Sequence, residues 1–356
     1  MDVKALKRSQ LEMLAQHRES LRRSPRLRWL FFEITDRCNL KCRHCGSNCT
    51  AKGQALTVEE IEATLRTIQG EKPTICLTGG EPMLHPAFFK IAELVRSLGF
   101  YWGMTTNATL IDDEAAAKLK RAGLATVSVS LDGLEQSHDA LRQVAGSWRL
   151  ALRGLQALQK AGFEPQVTTV LHRGNFGEFD ELYALLSQMG ITSWRPINVE
   201  PIGCACESGD LLLTPEQFAQ LISYIRAKRF DPSSKMEVTF GCSHYLGVEN
   251  ERMVRDHYFL CGAGILTASV RSNGDICACL DVENRPELVQ GNIRTDDFMD
   301  VWLNRFQAFR KDRTANCAKC LNCSERFVCG GDSTHTWDFD QNLPLLCFQD
   351  YRQFLE

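Results

Sequence analysis

The 356-residue sequence has no apolar run able to cross a bilayer: its most apolar early stretch, Leu30–Ile34, falls far short of the ~20 residues a spanning helix needs. Its opening, MDVKALKRSQLEMLAQHRESLRRSPRLRW, is polar and basic with no apolar core, so no secretory signal is expected there. It also lacks a charge excess. Forty-one Lys+Arg against 44 Asp+Glu leave a net charge of −3, which gives no pull toward nucleic acid or an anionic membrane. Internal repeats and low-complexity segments are missing as well. What remains is a chain with 44% hydrophobic residues, long enough for two or three packed domains. It carries sixteen cysteines. Without a secretory context these are expected to be reduced and metal-binding, in a cytoplasmic protein.

Apolar or β-branched runs recur at Trp29–Thr35, Thr74–Thr78, Trp102–Thr106, Thr126–Leu131, Gln166–Leu171 and Trp194–Val199. Amphipathic stretches separate them at Thr57–Ile68, Pro86–Leu98, Asp112–Arg121, Ser147–Lys160 and Glu178–Met189, with Gly70, Gly99, Gly123, Gly162 and Gly190 at or near their ends. The alternation predicts an α/β fold, a partial (β/α)6 TIM-like barrel, whose chemistry gathers at the C-terminal ends of the strands. One more helix is expected over Thr214–Lys228. Beyond it the alternation stops, leaving a hairpin about Asn273-Gly274 and a helix near Asp296–Arg310. The expected domains are a basic helical segment at 1–26 packed on the barrel, the barrel at 27–234, and a small Cys-rich domain at 235–356. That last region is too poor in regular core to fold without metal.

Cys38-x-x-x-Cys42-x-x-Cys45 offers three thiolates from one loop after the first strand. Thiolates suit iron–sulfur clusters, and three ligands on a four-iron cubane leave one iron open for chemistry. Gly79-Gly80-Glu81-Pro82 follows the second strand: glycines permit close backbone approach, and Glu81 offers an acceptor for an amine. Cys49 is read as a thiol near the site, because a fourth ligand would leave that turn without a purpose. Cys204 and Cys206 are read either as free thiols facing the mouth of the barrel or, like Cys242, as inert.

Together with Ser130-Leu131-Asp132-Gly133, these motifs resemble the radical S-adenosylmethionine (AdoMet) superfamily over nearly the whole chain. The resemblance implies that Cys38, Cys42 and Cys45 hold a [4Fe-4S] cluster whose open iron chelates AdoMet, and that Gly79, Gly80, Glu81 and Pro82 meet its amino group. Asn107, Ser130 and Asp132 are the further cofactor-binding candidates. His44 stands where that family usually has an aromatic residue. Cys261, Gly274, Cys279, Cys320-x-x-Cys323-x-x-x-x-x-Cys329 and Cys347 resemble a SPASM extension with one or two auxiliary [4Fe-4S] clusters. By that likeness Cys320, Cys323, Cys329 and Cys347 hold the distal cluster, while Cys261 and Cys279 serve the proximal one. Ser333 stands where a further cysteine is common, and Cys277 or Cys317 is the candidate to replace it. Zinc is the competing metal for CxxC pairs. Asp281 is a candidate general base, and His335 and Trp337 belong to a packed loop or a substrate channel.

The expected function is reductive AdoMet cleavage to a 5′-deoxyadenosyl radical that abstracts hydrogen from a peptide or protein side chain. The expected electron source is flavodoxin or ferredoxin. The alternatives are a small-molecule or tetrapyrrole-modifying enzyme of the same family and a non-catalytic iron–sulfur electron carrier.

Overall fold

A computed structural model describes residues 3–46, 52–241 and 244–355; Cys49 and Cys242 lie outside the described residues. Six parallel strands, β1 (Trp29–Thr35), β2 (Thr74–Gly79), β3 (Trp102–Thr106), β4 (Thr126–Ser130), β5 (Gln166–Leu171) and β6 (Ser193–Asn198), lie side by side in chain order. The curled sheet is the partial barrel that the alternation predicts. Helices cover its outer face because each carries one apolar stripe. Ile61 and Leu65 of α2 (Val58–Thr67) and Ile91 and Val95 of α3 (Phe88–Ser97) are fully buried. So are Leu155 and Leu158 of the helix Ser147–Lys160. Each such side chain contributes about 1.5–3 kcal/mol on burial, which outweighs the few tenths that separate most helix propensities. A capping box between Thr57 and Glu60 fixes where α2 begins.

One barrel helix is absent from the sequence expectation, α5 (Glu135–Arg142), after α4 (Asp113–Arg121). It ends on Gln143 in the left-handed region (φ 57°) rather than on a glycine, and it delivers Arg142 to the mouth of the barrel. The sheet also runs past residue 234. β7 (Glu237–Val238) pairs with β6, and β8 (Thr267–Val270) pairs in parallel with β1. β8 and β9 (Asp275–Cys277) form the hairpin read from Asn273-Gly274, and β10 (Gly291–Asn292) completes a ten-stranded sheet.

The first helix, α1 (Val3–Arg23), packs on the C-terminal region rather than on the barrel. Leu11 joins Tyr245, Phe259, Val328 and Phe348 in one apolar cluster. Arg18 Nη1 donates to Val328 O at 3.1 Å and Nη2 to Phe327 O, and Arg8 Nη1 meets Glu325 Oε1 at 2.8 Å. The amphipathic pattern specified a buried face but not its partner.

Candidate functional site

At the C-terminal ends of the parallel strands lies a cavity of about 660 Å³. Its wall includes Cys38, Cys42 and Cys45 from the loop after β1, and Gly79 and Gly80 from the end of β2. Asn107 and Ser130 line it beyond β3 and at the end of β4, and Arg142, Glu200 and Asp281 complete its charged lining together with Lys41.

The two glycines are dictated by the neighbouring chain. A Cβ on Gly79 would lie 2.4 Å from Thr35 O, and one on Gly80 would lie 2.3 Å from Arg37 O. The backbones are also tied: Gly80 N donates to Thr35 O and Glu81 N to Arg37 O, each at 2.8 Å. The glycines therefore press the cysteine loop and the β2 turn together at the cavity.

Glu81 does not line that cavity. It is 1% exposed, its Oε1 accepting from Thr106 Oγ1 (2.8 Å) and Met83 N (3.2 Å) and its Oε2 from Asn107 N (2.8 Å). Burial pushes its carboxyl up to about 7 against these hydrogen bonds. The carboxylate proposed for the AdoMet amine thus binds its own chain, because it caps the short turn Pro82–Leu84 and ties β2 to β3. Pro82 is buried in that turn. Asn107 bridges in turn to the cysteine loop, its Nδ2 donating to Asn39 Oδ1 at 3.0 Å.

Asp132 also sits behind the wall. Arg142 Nε and Nη2 approach its Oδ2 at 2.8 and 2.6 Å, His44 Nε2 stands 3.5 Å from the same oxygen, and Val170 N donates to Oδ1 at 2.8 Å. Burial alone would raise the Asp132 carboxyl, but Arg142, His44 and His138 outweigh it and hold it at about 2. Burial drives His44 down to about 4, so it is neutral. Asp132 thereby aims Arg142, a permanently charged guanidinium, at the cavity wall beside the thiols.

The cysteine loop is itself pinned. Lys41 N and Arg43 N donate to Arg142 O and Leu141 O, and Cys204 N donates to Cys45 O at 2.9 Å. Burial pushes the Cys42 thiol up to about 11 and raises Cys38; metal ligation would release those protons. The three thiols fit a cluster with one open iron, since they share one cavity wall with polar groups able to meet a further ligand. Among the described residues no three His, Cys, Asp or Glu side chains converge on a single-ion site, and a cubane asks instead for thiolates spread over separate irons.

Glu200 is a residue the sequence reading missed. Its Oε2 lies 2.7 Å from His335 Nε2 and its Oε1 3.2 Å from His244 Nε2. Despite burial, the two histidines hold its carboxyl well below the usual range. Asp332 and Glu200 together overcome burial to raise His244 to about 9. Trp337 packs against Cys317 and Cys320 instead of lining the cavity. Cys204 does line it, but as a disulfide rather than a free thiol, whereas Cys206 is exposed and its Sγ donates to Pro201 O at 3.1 Å.

In the C-terminal region, Cys320, Cys323, Cys329 and Cys347 share one small cavity with Tyr245 and Phe348. This is the set read as distal ligands. Cys261 opens on another small cavity with Cys329 and Arg313. Cys279 Sγ turns toward Asp281 Oδ2, 3.8 Å away. Cys277 is buried beside Arg271, and Cys317 beside Cys320.

Residues 32–186 match the family described as Radical SAM superfamily, and residues 261–324 match SPASM, an iron-sulfur cluster-binding domain. An AdoMet-dependent heme synthase of Oleidesulfovibrio alaskensis is 28% identical over 328 residues, 86% of this chain and 83% of the relative. An Fe-coproporphyrin III synthase of Methanosarcina barkeri is 34% identical over 336 residues, 85% of this chain and 82% of the relative. The mycofactocin maturase MftC of Mycolicibacterium smegmatis is 28% identical over 310 residues, 85% and 76% respectively. The fold is shared with native anSMEcpe, solved with bound AdoMet and a peptide, at a TM-score of 0.73, 20% identity, 93% of this chain and 96% of that one.

Proposed function

The chain belongs to the radical S-adenosylmethionine superfamily and carries a SPASM region, and from that premise we propose that it cleaves AdoMet reductively and takes hydrogen from a peptide or protein side chain. The observation that carries the reading is the convergence of Cys38, Cys42, Cys45, the Gly79-Gly80 backbone and Arg142 on one cavity. Cys38, Cys42 and Cys45 would hold the cluster. When bound, that cluster supplies the electron that splits AdoMet into methionine and a 5′-deoxyadenosyl radical. Arg142, fixed by Asp132, offers a cation for the AdoMet carboxylate. The Gly79-Gly80 backbone and Ser130 offer hydrogen-bonding groups at the same wall. Asp281 stands at the cavity as the proposed acceptor for a substrate proton. A separate reductant such as flavodoxin or ferredoxin would deliver the electrons.

A peptide is favoured by the lining. Glu200 and Asp281 place two carboxylates in the wall, and Asn107, Ser130, Thr168 and Asn198 add hydrogen-bonding groups that suit a peptide backbone. A second reading, a tetrapyrrole substrate, is supported by the relatives named heme synthase and Fe-coproporphyrin III synthase. The test is anaerobic: reconstitute with iron and sulfide, add AdoMet and dithionite, and measure 5′-deoxyadenosine. Zinc in place of iron with AdoMet intact would retire the radical reading. If deoxyadenosine forms, a coproporphyrin whose absorption band shifts on binding and whose mass changes on turnover would favour the second substrate class over the first.

A further inference from the structure

Cys261 and its neighbours do not form the ligand set that a second auxiliary cluster needs. Cys261 Sγ lies 3.1 Å from Thr334 Oγ1 and accepts from Thr334 N at 3.4 Å. Arg313 closes this node: its Nη1 donates to the same Thr334 Oγ1 at 2.7 Å, and its Nη2 donates to Gly331 O at 3.0 Å and to Asp332 O. The guanidinium also lies over the Trp337 ring, 4.9 Å from its centroid. The cavity beside Cys261 is walled by further cations, Arg18, Arg22 and Lys311. The half-buried Arg313 thus walls the cavity beside Cys261 as a fourth cation, with both terminal nitrogens engaged, where a cluster would need thiolates.

Nor do other described thiols gather there. A cubane takes four protein ligands when no exogenous group completes it. Cys329 shares the Cys261 cavity, yet it is also one of the four thiols grouped with Cys320, Cys323 and Cys347. Cys279 turns to Asp281, on the wall of the large cavity. Cys277 meets Arg271, and Cys317 meets Cys320. Ser333, at the spacing where a further cysteine was expected, is buried with 1% exposure and carries no thiol.

We infer that this chain builds one auxiliary cluster, on Cys320, Cys323, Cys329 and Cys347, and that the Arg313–Cys261–Thr334 node replaces a second. The inference rests on the radical AdoMet reading only in taking the C-terminal thiols as iron ligands. The node has a structural office of its own. It clamps the backbone from Gly331 to Thr334, and the next residue, His335, reaches Glu200 in the large cavity. Hydrogen bonds to one guanidinium thus make the cross-link that metal–sulfur bonds would otherwise make.

The test counts iron in the full chain after anaerobic reconstitution. The combined Cys38→Ala, Cys42→Ala, Cys45→Ala variant should keep about four irons, the content of a single cubane. About eight irons, or none, would overturn the inference. In the otherwise unaltered chain, Cys261→Ser should keep about eight irons and leave the EPR signal of the reduced auxiliary cluster unchanged. A loss of about four irons from a variant with wild-type circular dichroism would overturn it. Should Cys261→Ser fail to fold, the count in the triple variant decides alone. Should the wild type cleave no AdoMet, the radical reading fails, while the triple-variant count still decides the number of auxiliary clusters.

Discussion

Glu200 Oε2 and His335 Nε2 meet at 2.7 Å, joining the chain just beyond β6 to the loop that follows Cys329. His244 completes the arrangement from the other side, at 3.2 Å from Glu200 Oε1. The large cavity and the cysteine-rich region thus share a charged contact, whose strength varies with proton concentration.

The sign of that dependence follows from His244, raised from an ordinary 6.5 to about 9. A raised basic group contributes its full stability below its unfolded pKa and loses it as pH climbs through the folded one. Thermal melts of the wild type should therefore fall between about pH 6.5 and 9. In His244→Gln the fall should be much shallower, with lower stability at pH 6. Equal slopes for the two proteins would refute the assignment.

Arg142→Met should do two separable things. It strands the fully buried Asp132, a loss of about 3–5 kcal/mol for breaking one side of a buried pair, visible as a lower melting temperature. In the reconstituted protein it should also weaken AdoMet binding by calorimetry. Because Arg142 Nη2 lies only 2.6 Å from Asp132, the double change Arg142→Met with Asp132→Leu should recover part of the stability but none of the affinity.

Gly80→Ala places a methyl 2.3 Å from Arg37 O, a backbone atom that cannot rotate away. Relief requires the cysteine loop to move, and overpacking of this kind costs about 1–3 kcal/mol. The expected result is loss of the iron held by Cys38, Cys42 and Cys45 while the C-terminal iron is retained. Full iron content with normal deoxyadenosine formation would show that the close approach is dispensable.

Asp281→Asn tests the proposed proton acceptor. Deoxyadenosine should still form, since a proton acceptor acts on the substrate after AdoMet is cleaved, but product should fall by about 10²–10⁴-fold. Loss of both together would make Asp281 a residue of cofactor binding instead.

The sequence made the strands legible because β-branched and apolar runs mark them and a glycine punctuates most helix ends. β1, for example, spans the expected Trp29–Thr35. α5 escaped because it is short and stops on Gln143, so neither length nor a glycine announced it. Arg142 escaped with it: it belongs to no motif, and its only signal was an arginine ten residues beyond a strand-end Asp132. The Gly-Gly-Glu-Pro turn was found, but its physics differs from the expectation. Gly79 and Gly80 yield to a neighbouring backbone, and Glu81 holds its own chain. Such roles depend on which loops meet in space, which spacing along one chain does not encode. The docking of α1 on the cysteine-rich region was hidden for the same reason, since an apolar stripe fits many surfaces.

β8 runs beside β1 from Trp29–Thr267 to Phe32–Val270. Without that strand the sheet would end at β1 with its backbone donors and acceptors unanswered, an invitation to any passing strand. The cysteine-rich extension therefore acts as a hem as well as a metal carrier. A chain cut near residue 234 would lose it, and the exposed selvage would favour strand-to-strand aggregation over a smaller soluble enzyme.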